Sequence, residues 1–477
     1  FDFYVADKNN SIIRAEGREG TLSENVPDTG AGMLNQTMPS VGTARPLVLL
    51  IDFPDQHRPR FVTKEGIYEA MFDISNKDSL AAFYYRSSYG NLVIDGTVLD
   101  WYRAGKDRDS YASDTELMAE AMAYWAQTVD MSDYDADGDG IIDSLYILWA
   151  GTPDQNDQTW SSAYRSSWIS SPEWNGVRAD GYIFVPGSTV WSTVPPLACN
   201  INSLTHETGH LLGLNDYYSY DTSSRSGYSG GAAEGGMGAM DMMDSNIGDH
   251  NAYSKWLLGW LSPQTVYYKD IPAEGMTVTL RPSNEHADAL FIRIGDPDTD
   301  YTELFVIESL TTALNGEELT RLKQPVVRVL HVEGTLGEAG LSGNWRAYGF
   351  RYDNSYTSTK FISVVEADGE DTVLNYFPAS SGAKVSYDAG DYFLAGDAIT
   401  PYTYPNTNGY DAYGNATVYT GISIEILSVA EDGTAEVRLS YAEEAEDALA
   451  LESVSPEPTV VPYTRMATAV SYTHLTL

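Results

Sequence analysis

Two histidines and a glutamate lie in one short segment where their spacing could bind a metal ion. His206 and His210 are four positions apart, with Glu207 between them, in the sequence HETGHLLGLND. On a helix this spacing places both imidazoles on one face, one turn apart, which is the separation that tetrahedral Zn²⁺ requires. Glu207 would lie beside the metal, where a carboxylate can act as general base toward a water that zinc activates.

Asp216 is the candidate for a third ligand. A helix that continued past His210 would carry its next residues away from the metal, so Asp216 can reach it only if the chain turns. Gly213 can make this turn, because a residue without Cβ readily adopts positive φ and ends a helix. Accidental HExxH matches are expected on the order of 0.01 times in this composition. We therefore predict zinc ligands His206, His210 and Asp216, the alternative being a structural histidine pair.

A methionine-rich turn follows the zinc motif. Residues 235–244 read GGMGAMDMMD. Methionine is a weak signal by itself, because it often fills gaps in a protein core. Metzincin peptidases, however, place a methionine beneath their zinc ligands in a turn that follows the motif. We predict that Met243 has this structural role.

Residues 135–143, DADGDGIID, resemble the first part of a calcium-binding loop. The alternating carboxylates could converge on one cation, with Gly140 allowing the sharp bend and Ile142 anchoring the loop to the core. The predicted calcium ligands are Asp135, Asp137, Asp139, Ile141 and Asp143. Tyr146 stands where an EF-hand has its last ligand, so we predict a single unpaired loop with a stabilising role. The alternative is an acidic surface turn.

Apolar runs indicate the elements that position these residues. Runs at 46–52, 144–150 and 181–185 predict buried strands, and a capping box of Ser113 and Glu116 predicts a helix start. A further helix, at about 198–212, would carry the zinc motif. After Pro263 the chain changes to short β-type runs. These lie at residues 277–280, 290–294, 304–308, 326–332 and 422–427.

We therefore predict an α+β fold with a zincin-like catalytic domain, a twisted sheet plus helices, followed by a mainly β domain. The expected organisation begins with a linker or propeptide remnant at 1–43 and the catalytic domain at 44–262. A β-rich domain follows at 263–442. An acidic, Pro-rich linker and an artefactual tail occupy 443–477, because the final VSYTHLTL resembles a translated sequencing adaptor.

Charge and cysteine content restrict the class of protein. The formal net charge is -40, from 68 acidic and 28 basic residues, which disfavours nucleic acid or an anionic membrane surface as partner and favours divalent cations. Cys199 is the only cysteine, so no intramolecular disulfide can form. No apolar run reaches the length of a membrane-spanning helix, and the chain begins at Phe1 without a signal peptide. We expect that the true N-terminus is missing and that the protein is secreted by a bacterium.

Several segments together resemble the immune inhibitor A family of secreted bacterial metallopeptidases. HETGHLLGLNDYY matches that family's HExxHxxGLxDxY, although Asn215 replaces a common proline, and Met240 replaces an aromatic residue in the methionine turn. Further similar segments are YYRSSYGNL at 84–92, MDMMD at 240–244, SKWLLGW at 254–260, VVEADG at 364–369 and GDYFLAG at 390–396. The resemblance implies a zincin catalytic domain, zinc and calcium, a propeptide and extracellular protein substrates.

The function expected from these residues is that of a zinc-dependent endopeptidase acting on extracellular proteins or peptides. An extended substrate could pair with the strand at 181–185. The oxyanion could be stabilised by one of four residues near the motif: Tyr217, Tyr218, His250 and Tyr253. Two alternatives stay open. One is a zincin retained as a host-surface adhesin or glycan-binding protein, which 34 Tyr and 10 Trp would permit; the other is a zinc hydrolase of a non-peptide amide.

Overall fold

The computed structural model describes residues 3–6, 12–15, 36–154, 157, 159–160, 163–191, 201–218, 237–238, 240–318, 322–337, 349–354, 357–370, 373 and 388–444. The helices in these ranges are α1 (Lys64–Met71), α2 (Leu80–Ser87), α3 (Asp114–Trp125), α4 (Gly187–Val190), α5 (Asn202–Leu211), α6 (Met242–Ser245) and α7 (Ala252–Leu257). The strands up to residue 186 are β1 (Phe3–Ala6), β2 (Ile12–Ala15), β3 (Gly42–Ala44), β4 (Leu47–Asp52), β5 (Leu92–Ile94), β6 (Thr97–Arg103), β7 (Ile141–Ile142), β8 (Leu145–Trp149), β9 (Tyr164–Ser167), β10 (Glu173–Trp174), β11 (Val177–Ala179) and β12 (Gly181–Pro186). The later strands are β13 (Gln264–Tyr267), β14 (Met276–Leu280), β15 (Leu290–Arg293), β16 (Glu303–Leu310), β17 (Val326–Glu333), β18 (Ile362–Val364), β19 (Ala398–Ile399), β20 (Gly409–Tyr410), β21 (Ala416–Val418), β22 (Ile422–Val429) and β23 (Ala435–Tyr441).

A five-stranded sheet in the order β6-β4-β8-β12-β9 forms the centre of the first half. The first four strands are parallel neighbours, and β9 runs antiparallel to β12. Every residue of β4, β8 and β12 is buried. Parallel strands covered on both faces read as continuous apolar runs. The three strands predicted from such runs are therefore confirmed, with ends that shift by one residue.

Alternate residues of this sheet enter two different cores, as the two-residue period of a strand requires. One core contains Val48 and Leu148 together with Leu204 and Leu211 of α5. The other covers the opposite face with α3, whose Leu117, Met118, Ala121 and Met122 are buried. The sheet thus fixes the position of the helix that carries the zinc motif.

Helix α3 begins where the sequence predicts. The hydroxyl of Ser113 accepts the amide of Glu116 at 3.1 Å. The prediction of a complete capping box is wrong, however. Its second hydrogen bond would join the Glu116 carboxylate to the amide of Ser113, but this carboxylate accepts the amide of Ala112 at 2.8 Å instead. This contact satisfies the amide of the residue that precedes the N-cap.

The second half is built from two larger sheets, in the orders β13-β15-β16-β17-β18 and β14-β23-β22-β19. Their facing sides share an apolar core that includes Phe305, Val329, Ile424 and Val437. In the described part of residues 264–441 the helical turns are all short 3-10 turns. The β-rich runs predicted after Pro263 are therefore confirmed as strands, and the whole is a mixed α and β fold.

The first of these sheets also packs toward α5. Its other face contributes Val306 and Leu330 to the core that holds Leu204 and Leu211. Residues Phe1–Tyr441 form one compact unit. The second unit, Ala442–Leu477, is described only at residues 442–444.

Some sequence predictions lie outside the described residues. These include Cys199, the first residues of the predicted zinc helix, and the tail from residue 445 onward. Within residues 1–43 the structure describes an antiparallel pair, β1 and β2, and the segment from residue 36. None of the helices in the described ranges combines the length and hydrophobicity needed to cross a bilayer.

Candidate metal centre

The turn after α5 brings a third side chain back to the two histidines. The helix ends at Leu211, and Gly213 has a φ of 97°, a conformation that favours glycine. The amide of Leu214 donates to the carbonyl of Gly209 at 2.9 Å, which closes the turn. Asp216 consequently reaches the face of α5 that carries the imidazoles.

His206, His210 and Asp216 converge on one point. The Asp216 Oδ1 atom is 2.8 Å from His206 Nε2 and 3.2 Å from His210 Nε2. One candidate ligand atom from each of the three residues lies within 4.8 Å of the other two. Two imidazoles and a carboxylate at this spacing form a donor set that suits Zn²⁺ with one coordination position left open.

Backbone carbonyls fix the orientation of both imidazoles. His206 Nδ1 donates to the carbonyl of Met242, and His210 Nδ1 donates to the carbonyl of Leu214, each at 2.8 Å. A carbonyl oxygen can only accept, so Nδ1 carries the hydrogen and Nε2 is left to face the site. Outer contacts of this kind set the tautomer and ring orientation of metal-binding histidines.

The charges of the three residues depend on one another. Burial alone would lower the pKa of His210, but the Asp216 carboxylate raises that pKa to about 9. Burial would raise the pKa of Asp216, yet His210 and His206 hold it well below its usual range. A carboxylate that stays ionised beside two imidazoles is in the form that can bind a cation.

Glu207 lies beside this group, partly buried. Burial raises the pKa of its carboxyl, although His210 and His206 oppose the shift. The backbone amide of Arg165, on β9, donates a hydrogen bond to the same carboxylate. A carboxylate with a raised pKa is a stronger base than an exposed glutamate, which suits proton transfer.

Met243 packs directly under α5. It is fully buried, and a Cβ added to Gly209 would lie 2.3 Å from its sulfur. Gly209 stands between the two histidines, so only a residue without a side chain allows this close approach. The Asp241 carboxylate accepts the amide of Met243 at 2.8 Å and fixes the start of α6.

Three of the four proposed oxyanion residues lie away from the ligand atoms. The Tyr217 hydroxyl bonds to Ser254 Oγ, and Tyr253 is fully buried. His250 is also buried, and rings surround it. These rings are Phe83, Tyr84 and Trp260.

Tyr218 is the exception among the four candidates. Its ring stacks on His206 with centroids 6.3 Å apart and planes 25° apart. Its hydroxyl forms a hydrogen bond with the Asp216 carboxylate, and burial raises its pKa. Tyr218 remains partly exposed, so its hydroxyl lies at the border between the metal ligands and solvent.

Strand β12 contains residues 181–185, which the sequence suggested as a pairing partner for a substrate. β12 lies between β8 and β9, so its backbone groups are paired on both sides and the hypothesis for residues 181–185 is wrong. β9 is the outer strand of this sheet in the described residues. Its residues are mostly polar and half-exposed, so the sequence contained no apolar run that would predict this strand.

The predicted calcium loop connects a short 3-10 turn to β7. Oxygens of Asp135, Asp137 and Asp143 lie within 4.8 Å of one another. The structure does not bring Asp139 into this group. Its Oδ1 accepts the amide of Ile141 at 2.7 Å. Burial raises the pKa of Asp143 to about 6, and the other two carboxylates add to this rise. A bound Ca²⁺ would relieve this repulsion.

A third group of side chains that could hold a metal ion lies in the second half of the chain. Carboxyl oxygens of Glu366, Asp368 and Asp391 lie within 4.8 Å of one another. They come from the segments VVEADG and GDYFLAG, which sequence analysis connected with the family without assigning a ligand role. Because the two segments are separated in the sequence, their proximity in the structure could not be predicted from either segment alone.

No protein-family model and no curated protein matches this chain. Among solved structures, Plasmodium falciparum PdxK with the ligands AMP-PNP and PL aligns with 62% of this chain and 77% of that chain. The identity is 8% and the TM-score is 0.11, a similarity too low to support any structural argument.

Proposed function

We propose that this protein is a zinc-dependent endopeptidase with a zincin-like catalytic region, similar to the immune inhibitor A peptidases, that acts on extracellular proteins. The observation that carries the proposal is the convergence of His206, His210 and Asp216 with Glu207 beside them. Both histidines present Nε2 because their Nδ1 atoms are bound elsewhere. The partly buried Glu207 has no ligand role in this arrangement and is available for proton transfer.

A bound Zn²⁺ would polarise the scissile carbonyl and increase the acidity of water. Glu207 would accept the proton of the attacking water and then deliver it to the leaving amine. The hydrogen bond from the Arg165 amide holds this carboxylate in one orientation. Tyr218 would donate its phenolic hydrogen to the oxygen on which negative charge develops, since its hydroxyl lies beside Asp216.

An extended peptide would bind along β9. As the outer strand of the central sheet, β9 can extend the sheet by pairing with a substrate strand. Its Arg165 amide contacts Glu207, so a substrate aligned with β9 would pass close to the general base. Main-chain pairing would position the scissile bond without requiring one particular side chain.

The loop around Asp135, Asp137 and Asp143 would bind calcium for stability. It precedes β7, which pairs with β11 and not with the central sheet. Extracellular fluids supply millimolar calcium, the range in which extracellular modules bind it. The strong negative charge of the chain agrees with such a requirement for divalent cations.

The decisive experiment replaces the general base and leaves the ligands in place. Glu207→Gln keeps an oxygen that can accept the Arg165 amide, so we expect parent-like zinc content and folding. Peptidase activity on casein should fall by about 10² to 10⁴-fold, the usual contribution of general acid/base catalysis. Glu173→Gln, which changes an exposed carboxylate on β10, is the matched control and should be as active as the parent.

Two results would contradict the proposal. Parent-like cleavage by Glu207→Gln would exclude the assigned mechanism. A parent protein that binds zinc but cleaves no member of a peptide library would exclude peptidase activity, and binding of that protein to a host surface would favour an adhesin.

A further inference from the structure

One asparagine of the β-rich half contacts the backbone next to the third metal ligand. Asn354 is 2% exposed, and its Nδ2 donates to the carbonyl of Tyr217 at 2.7 Å. Tyr217 directly follows Asp216. The two bonded residues are 137 positions apart, so this contact joins the zinc segment to a distant part of the chain.

Asn354 is itself held in place by the β-rich half. Its Oδ1 accepts the amide of Ile362 at 3.0 Å, and its Nδ2 also donates to the Ile362 carbonyl at 2.9 Å. Ile362 is fully buried and begins β18, at the edge of a five-stranded sheet. The amide group is therefore fixed from one side by the sheet and donates to the ligand segment on the other.

Tyr217 is held at three points, of which Asn354 supplies one. Its amide donates to the carbonyl of Met243 at 2.9 Å, and its hydroxyl bonds to Ser254 on α7. Its carbonyl depends on Asn354. Since Asp216 has no helix or strand of its own, these contacts help to fix where its carboxylate lies relative to the imidazoles.

We infer that Asn354 is a positioning residue of the metal centre: it holds the backbone of the third ligand, Asp216, at the distance from His206 and His210 that a metal ion requires. This inference rests on the proposed zinc function. Asn354 does not touch the reacting atoms. Its effect passes through the Tyr217 carbonyl, in the way that outer contacts orient the ligands of other metal sites.

The second half also holds the methionine turn. Arg328 on β17 donates from Nη1 to the carbonyl of Met240 at 2.6 Å, and it is paired with Glu308 on β16. Both side chains are buried. The residue that follows Asp216 and the methionine turn are therefore both fastened to the same five-stranded sheet, which makes this sheet part of the metal centre's support.

The test compares two buried asparagines of the β-rich half. Asn284 is 1% exposed, accepts the amide of Thr311 and donates to the carbonyls of Thr311 and Ala313. Asn354→Ala and Asn284→Ala should both lower the melting temperature. Only Asn354→Ala should weaken zinc binding by about 10-fold or more, the usual cost of losing an outer contact of a metal ligand.

Cobalt supplies a readout that a general loss of stability does not change. The visible absorption of Co²⁺ depends on coordination geometry, so it should change in Asn354→Ala and stay parent-like in Asn284→Ala. Asn354→Ser, which removes less volume, should show the same spectral change and serves if the alanine variant does not fold.

The outcomes separate the two hypotheses. Parent-like zinc affinity and cobalt absorption in both Asn354 variants would overturn the positioning role while leaving the zinc centre intact. Equal losses in the Asn354 and Asn284 variants would overturn it as well, because the effect would then be one of stability. A parent protein that binds neither zinc nor cobalt would overturn the metal centre itself, and the inference with it.

Discussion

His250 offers a test of the packing beneath α5. Its ring is 1% exposed and lies among Phe83, Tyr84 and Trp260, with centroids 5.6 to 6.0 Å away. Neither ring nitrogen has a hydrogen-bond partner among the described residues. Because the imidazolium form could not be solvated there, burial lowers the pKa of His250 to about 3.

The neighbouring charges do not reverse this shift. Asp249 raises the pKa of His250, while Lys255 and His206 lower it. Asp249 and Lys255 are themselves paired at 2.7 Å, so most of their fields cancel at the imidazole. Tyr84, whose ring faces His250, has a raised pKa and is neutral at the pH values considered.

The direction of the pH effect follows from the two states. An unfolded histidine has a pKa of about 6.5, above the folded value, so the unfolded chain binds the proton first. The contribution of His250 to the free energy of unfolding is present above about pH 6.5 and is lost as the pH falls toward 3. At about 1.4 kcal/mol per pH unit, the loss amounts to roughly 2 kcal/mol at pH 5.

The assay is urea denaturation at pH 7.5 and pH 5.0, followed by tryptophan fluorescence. His250→Phe should lose about 2 kcal/mol less than the parent between the two pH values, since it removes the group that titrates. His286→Phe, which replaces an exposed histidine, is the control and should keep the parent's pH dependence. If the parent and His250→Phe lose the same free energy, the burial of an uncharged imidazole at this position is refuted.

Three further predictions concern the metal sites and the methionine turn. Calcium should raise the melting temperature, because a hundredfold excess over its Kd adds about 2.7 kcal/mol to the free energy of unfolding. The double variant Asp137→Asn with Asp143→Asn should lose this response without a change in zinc content. A calcium response that persists in the double variant would contradict the assignment. Tyr218→Phe should retain zinc but lower kcat by about 10² to 10³-fold, as for other transition-state donors, and an unchanged kcat on a peptide substrate would exclude this role. In Gly209→Ala, the higher helix propensity of alanine should stabilise the protein by about 1 kcal/mol. The new Cβ would lie 2.3 Å from the Met243 sulfur, and this clash should cost about 1–3 kcal/mol. We therefore expect the variant to be less stable than the parent in thermal denaturation. A Gly209→Ala protein at least as stable as the parent would contradict the close packing of the Met243 sulfur against Gly209.

Local signals were sufficient for the elements that surround the site. The strands β4, β8 and β12 are buried on both faces, and a strand of this kind must be continuously apolar. The zinc motif could be found because a helix fixes the relation of residues four positions apart. Gly213 has the positive φ that the turn toward Asp216 requires.

Contacts between distant segments could not be predicted in this way. β9 is polar and only half-buried, so nothing in its sequence distinguishes the outer strand from a loop. Asn354 belongs to no periodic pattern, and its partner is 137 residues earlier. The alternating aspartates of the calcium loop suggested that Asp139 would join the others, but only Asp135, Asp137 and Asp143 converge among these four residues.

The shared core has a consequence for how the chain folds. Leu204 and Leu211 of α5 lie in the same core as Val306 and Leu330, which are contributed by strands much later in the sequence. Contacts of such long sequence separation require closure of large loops, and proteins rich in them fold slowly. During synthesis α5 can pack on the central sheet, but it must wait for β16 and β17 before its apolar side is fully covered, and we expect the first half to be exposed to aggregation in that interval.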